Sequence, residues 1–254
     1  MGDSAMSISP LKEPSCGTQV AAVHLGFWAA FLLAILSAAS FALGITTPPR
    51  SGPFCAALCI PYPFTDAAQF VPRDYFWFIP GVLLTPVFVV VTACIHSVVP
   101  AHNRHLSLIG LCFASIAAGL VSADYFVQFQ VVAPSLLRGE TSGLALFTQY
   151  NPHGLFIALE DLGYLMLCVA FLFAGVALSR GRRLESATRW IFIFSAILGF
   201  ASFLGITWRF GLQIEYRFEV AIITITWITL LANGVILTFQ FRRLARQVSS
   251  PNRE

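Results

Sequence analysis

Six stretches of this chain are each long and apolar enough to cross a bilayer, and that constrains everything else about it. A helix needs about 20 mainly apolar residues to span the hydrocarbon layer, so runs free of Asp, Glu, Lys and Arg are a simple ruler. Residues 14–49 are charge-free, with Val20–Ile45 as their apolar part. Residues 75–103 are charge-free again and place a second span at 76–99. A third covers 106–128 and is interrupted late by Asp124; a fourth covers 155–178 and carries Glu160 and Asp161 near its start. The fifth, Trp190–Trp208, has a Trp at each end, as interfacial anchors do. The sixth, 218–241, contains the uncharged run Val220–Phe241. The predicted fold is all-α: a polytopic six-helix transmembrane bundle over 20–241, between a polar N-terminal tail (1–19) and a basic C-terminal tail (242–254). Hydrophobic residues make up 57% of the chain and charged residues 11%. Soluble domains carry roughly 25% charged residues, so this chain has too few charges to coat a water-facing globule.

Lys and Arg in the loops set the orientation. With the N-terminus inside, the cytoplasmic segments hold Lys12, Arg104, Arg180, Arg182, Arg183, Arg189, Arg242, Arg243, Arg246 and Arg253. The opposite side holds Arg50, Arg73, Arg138, Arg209 and Arg217. Both termini are therefore expected in the cytoplasm, with the chain in the cell membrane. The net charge of +3 needs no nucleic acid to explain it, since these arginines suit orientation and anionic headgroups.

Small residues at Ser37–Ser40 leave a second reading of the first span open, as a cleaved signal peptide that would leave five spans. Its apolar run exceeds the 7–15 residues of a signal core and its leader has one Lys, so a retained anchor is the reading adopted. The longest external connection, Thr46–Tyr75, is rich in Pro, Gly and aromatic residues and is expected to pack over the bundle mouth. Cys55 and Cys59 lie in it, on the side where disulfides persist. A short local bridge and two free thiols are both open. Cys94, Cys112 and Cys168 fall within spans and read as small apolar residues.

Ionisable groups inside spans are costly and usually face the bundle interior. Asp124, Glu160, Asp161, Glu215 and Glu219 all fall near the external surface, with Arg209 and Arg217 at the same level. Helical spacing sharpens this. On the third span Gly110, Ala114, Ala117, Val121, Asp124 and Gln128 share one face. The fourth aligns Glu160, Tyr164, Cys168, Phe171 and Gly175, with Asp161 adjacent. The fifth aligns Ser195, Gly199, Ser202 and Arg209; the sixth aligns Glu219, Thr226, Thr229 and Asn233, with Glu215 a turn further out. The last four spans are thus expected to form one polar cluster open to the outside. Asn151 suits an N-cap and Pro152 a first helical residue, which would set His153 at the rim above Glu160.

The runs Gln149-Tyr150-Asn151-Pro152-His153-Gly154, Asp124-Tyr125-Phe126-Val127-Gln128 and Glu215-Tyr216-Arg217-Phe218-Glu219 resemble stretches in uncharacterised six-span prokaryotic membrane proteins. The resemblance covers most of the chain from about residue 55. It implies six helices in a cell membrane and carries no activity.

Three readings of the cluster compete. The leading one is a non-enzymatic protein whose outward-facing polar pocket binds a small or lipid-like ligand, with the acids as its polar end and Phe residues as its walls. The second is a membrane enzyme using paired carboxylates as acid and base. The third is a purely structural network in which Arg209 and Arg217 pair with Asp124, Glu160 and Glu219. No cofactor or metal is expected: the external side offers His153 alone among histidines, and zinc wants three or four ligands. His24 and His96 read as packing residues. The only lysine, Lys12, lies outside every span, which argues against a Schiff-base pigment. Membrane lipids are the expected surroundings, with no nucleic-acid partner.

Overall fold

The computed structural model describes residues 16–179, 181 and 183–249. Lys12, Arg180, Arg182 and Arg253 of the inside-positive count lie outside the described residues. The chain is 81% helical, with no strand among the described residues. Its helices are α1 (Cys16–Ile45), α2 (Phe78–Val98), α3 (Arg104–Val127), the short α4 (Ala133–Arg138), α5 (Leu155–Ala177), α6 (Arg183–Phe210) and α7 (Glu215–Ser249). Six helical stretches are long and apolar enough to cross a membrane. The chain is a multi-pass membrane protein.

The spans form a closed ring in chain order. α1 packs on α2, α2 on α3, α3 on α5, α5 on α6, α6 on α7 and α7 back on α1, with α5 also touching α7. Lipid is as apolar as a leucine side chain, so helices here associate by close packing rather than by escape from water. Small residues let them do so. A Cβ on Gly234 would lie 2.9 Å from the Ala34 backbone N, and one on Gly110 would lie 3.2 Å from the Ala174 backbone N. Gly26 abuts Phe241 and Gly44 abuts Trp227, so α1 and α7 run antiparallel. The start of α1 and the end of α7 share one end of the bundle, called here the basic end; the 46–77 loop caps the other. α1 closes the ring against α7.

Helix ends are satisfied locally, as an apolar medium demands. At the end of α1 the Thr46 hydroxyl donates to Leu43 O (2.9 Å) and the Thr47 hydroxyl donates to Leu43 O (3.0 Å), after which Pro48 and Pro49 prevent continuation. The third span does not stop at Gln128. A π turn over Gln128–Val132 leads straight into α4. The wider turn lies where Pro134, which cannot bond or closely approach the carbonyl four residues back, would break an α-helix. Gly139 then ends the helix at φ 73°, with Gly139 N–H on Leu136 O and Glu140 N–H on Ser135 O, the Schellman pattern.

The fourth span also starts differently from the sequence expectation. Gly154, not Asn151, precedes the first helical residue, Leu155. Asn151 Oδ1 instead accepts the His153 N–H at 3.0 Å, and Gly154 N–H donates to Asn151 O. The Asn-Pro-His-Gly run is spent on a tight turn before the helix. Trp208, at the end of α6, is 93% exposed, as a lipid-interface anchor would be.

Candidate functional site

The predicted faces of α3 and α5 are the buried ones. Gly110, Ala114, Ala117, Val121, Asp124 and Gln128 are all buried, as are Glu160, Tyr164, Cys168, Phe171, Gly175 and the adjacent Asp161. At the loop end these faces bring Asp124, Glu160 and Asp161 together, and α7 adds Glu219. Glu160 is the shared neighbour: it interacts with Asp124, with Asp161 and with Glu219. Buried oxygens on Asp124 (Oδ2), Glu160 (Oε2) and Asp161 (Oδ1) have no hydrogen-bond partner in the protein.

The other Glu160 oxygen terminates a directed donor chain. Trp227 Nε1–H donates to the Tyr164 hydroxyl at 2.8 Å, the Tyr164 and Tyr125 hydroxyls lie 2.9 Å apart, and Tyr125 donates to Glu160 Oε1. An indole N–H can only donate. Tyr164 therefore accepts from Trp227 and passes its own hydrogen to Tyr125, so every donor in the chain points toward Glu160.

The arginines do not join this group, which corrects the sequence expectation. Arg209 is exposed, with its guanidinium 5.3 Å from the Phe210 ring centroid. Arg217 donates to Glu215 Oε2 at 3.1 Å and lies over the same ring at 4.4 Å. His153, its side chain 62% exposed, lies 3.6 Å from Glu215 Oε1. His153, Arg209, Glu215 and Arg217 thus form a separate rim outside the buried acids. The cause is local. The last turns of α6 are largely exposed, so the face that buries Gly199 is no longer covered at Arg209. The network with Arg209 and Arg217 as counter-ions to Asp124, Glu160 and Glu219 is not formed. Nor does Gln128 join the acids; its Nε2 donates to Phe147 O (2.8 Å) and its Oε1 accepts Gln149 N–H (3.3 Å), pinning the loop before α5.

A different ion pair, absent from the sequence reading, holds the roof. Arg50 Nε donates to Asp74 Oδ2 at 3.0 Å with both side chains buried, and the guanidinium lies 3.9 Å from the Phe70 ring centroid. Next to it, the Ser51 hydroxyl donates to Tyr150 O and lies 2.8 Å from the Tyr216 hydroxyl, which donates to Gln149 O at 2.9 Å. Burial, with Tyr75 and Asp74 nearby, pushes the Tyr150 hydroxyl well above its usual range, against an opposite pull from Arg50. It remains a donor, facing Asp74 Oδ2 at 3.5 Å. Cys55 and Cys59 are joined by a disulfide in the same loop, which resolves the alternative left open above. The one sequence signal for Arg50 and Asp74 was position, since they bracket the loop at the two span ends.

Beneath this roof lies a cavity of about 440 Å³ between the end of α1 and the start of α7. Pro48, Pro49 and Arg50 cover it, Phe41 and Gly44 of α1 face Val220, Ile223 and Thr224 of α7, and Trp77 and Trp227 are at its inner end. Its polar lining includes Glu219, Tyr216, Gln149 and the Arg50–Asp74 pair. Of the sequence-predicted site residues only Glu219 lines it. Asp124, Glu160 and Asp161 lie behind that wall. The first span, through Phe41, Gly44 and Ile45, and the first loop, both of which sequence reasoning left out of the site, supply much of the lining. Among the described residues no three His, Cys, Asp or Glu side chains are grouped to hold a metal ion. The chain matches no protein-family model, no curated protein and no solved structure.

Proposed function

We propose that this multi-pass protein resides in the cell membrane, with both termini cytoplasmic, and binds a small or lipid-like ligand in the cavity between α1 and α7 without transforming it. The observation that carries this reading is the cavity's composition: apolar and aromatic walls with a few convergent polar groups, the usual make-up of a ligand pocket. Its level at the loop end matches an entrance from the outside or the outer leaflet. The acid–base enzyme is less well supported, because three of the four clustered acids do not line the cavity. A purely structural network is also less well supported, because the arginines it required pair elsewhere.

Thr224→Trp tests the reading by filling the cavity from a partly exposed position on α7. Native mass spectrometry of protein released from lipid vesicles should show a retained adduct on the wild type and its loss in T224W, with equal folded yield. Retention unchanged by the filled cavity would remove the proposal.

A further inference from the structure

We infer that the ligand's polar end is an ammonium group carried on an apolar chain, held by Glu219 inside the aromatic lining of the cavity; this rests on the ligand-pocket reading above. Three independent features select that charge. The first is what remains after pairing. Two opposite full charges at the roof of the cavity, Arg50 and Asp74, neutralise one another at 3.0 Å. Glu219 is the other ionisable acid in the lining; it shares a side-chain hydrogen bond with Glu160, and among the described residues no cation pairs with it. The second is the field behind it. The acids that act on Glu219 are Glu160, Asp161 and Asp124. An anionic head such as a sulfate or carboxylate would meet Glu219 with three further acids behind it, while the cation of the described lining, Arg50, is already paired with Asp74.

The third is the lining itself. Phe41, Trp77, Tyr150, Tyr216 and Trp227 all contribute to the cavity, and the Trp77 and Trp227 ring centroids are 6.0 Å apart. Aromatic faces around a single acid are how ammonium groups are recognised, because the ring quadrupole attracts a cation with little dehydration penalty to the protein. Ile45, Val220 and Ile223 give the lining an aliphatic part that suits the attached chain. Ile45 and Val220 are themselves exposed on the flank of the bundle, so a chain can extend from the cavity into lipid. A choline- or ethanolamine-type lipid headgroup and a free alkylammonium ion both have this chemistry.

Titration with matched short-chain probes in phosphatidylglycerol nanodiscs tests the assignment. In a background with the three exposed tryptophans, Trp28, Trp190 and Trp208, changed to Phe, emission reports Trp77 and Trp227 alone. Hexyltrimethylammonium should change this emission saturably. Hexyl sulfate and hexanol should bind at least about tenfold more weakly, and Glu219→Gln should weaken the ammonium probe by about tenfold, the scale of one lost charge contact. Native mass spectrometry from equimolar phosphatidylcholine and phosphatidylglycerol membranes separates the two sources. Selective retention of phosphatidylcholine assigns a lipid headgroup, and ammonium binding without lipid selection assigns a free ion. Equal binding of all three probes, abolished by T224W, would overturn the ammonium assignment and keep the pocket. No saturable binding of any probe would overturn both.

Discussion

Asp74→Asn should open the roof of the cavity while leaving the helical bundle intact. The side chains of Arg50 and Asp74 are 4% and 1% exposed, so the substitution strands a buried guanidinium without changing volume. Removing one partner of a buried pair costs about 3–5 kcal/mol, most of it the uncompensated charge that remains. Arg50 keeps its contact with the Phe70 ring, which places the cost at the lower end, about 3 kcal/mol. The Ile60 amide reports this locally, because it donates to Arg50 O at 2.7 Å. Every 1.4 kcal/mol is tenfold in an opening equilibrium, so Ile60 should exchange its amide hydrogen roughly a hundredfold faster in D74N. Exchange in the buried middle of α5, at Leu167 for instance, should not change. Replacing both partners by apolar groups is often neutral, so Arg50→Met with Asp74→Leu should bring Ile60 back to within about tenfold of the wild-type rate. Hydrogen-exchange mass spectrometry with peptides covering 50–75 and the middle of α5 reads all three. An acceleration below fivefold in D74N, or a double variant as open as the single one, would refute a charge clamp.

Other consequences are simpler to read. N-ethylmaleimide should reach Cys55 and Cys59 only after reduction, adding two labels by intact mass; labelling of either without reductant would contradict the bridge. Gly234→Ala should cost about 1–3 kcal/mol through overpacking, because its Cβ would press on α1 backbone. Gly119→Ala, which faces open space, should be neutral or slightly stabilising, and thermal unfolding in detergent separates the two. Tyr125→Phe should lower stability by about 1–3 kcal/mol, since it strands the Tyr164 hydroxyl hydrogen and Glu160 Oε1; an unchanged melting temperature would mean the donor chain contributes nothing.

The spans were legible because lipid imposes a length and a charge limit that few other environments do. The buried faces of α3 and α5 were legible because close helix packing needs small residues at helical spacing, and Gly110–Ala114–Ala117–Val121 supplies them without interruption up to Asp124. The same logic failed for Arg209. Periodicity assigns a residue to a face, but it cannot say whether that face is still covered at that height, and the last turns of α6 are exposed. It failed for Asn151 because a residue suited to capping a helix is equally suited to a turn, and the Pro-His-Gly that follows favours the turn. Arg50, Asp74 and Ser51 lie in irregular chain, where no period exists and only the fold can pair residues 24 apart or 165 apart.

Sequence pattern marked the inward stripe of α7, and the cavity lies along the side next to it. Glu219, Thr226, Thr229 and Asn233 mark the side turned into the bundle, where Thr226, Thr229 and Asn233 are buried. The cavity is lined by two adjacent rows at four-residue steps, Glu219, Ile223 and Trp227 beside Tyr216, Val220 and Thr224. Glu219 stands where the two stripes meet. It is the point at which the buried acids act on the cavity, while Trp227, two turns along, begins the donor chain that ends on Glu160. Asp124, Glu160 and Asp161 are therefore felt by an occupant as field transmitted at Glu219, not as separate contacts. Neutralising Asp161 with Asn should accordingly weaken an ammonium probe far less than neutralising Glu219 with Gln. Equal losses from the two would mean that the occupant reaches past α7 into the acid cluster itself, and would put the acid–base enzyme ahead of the binding pocket.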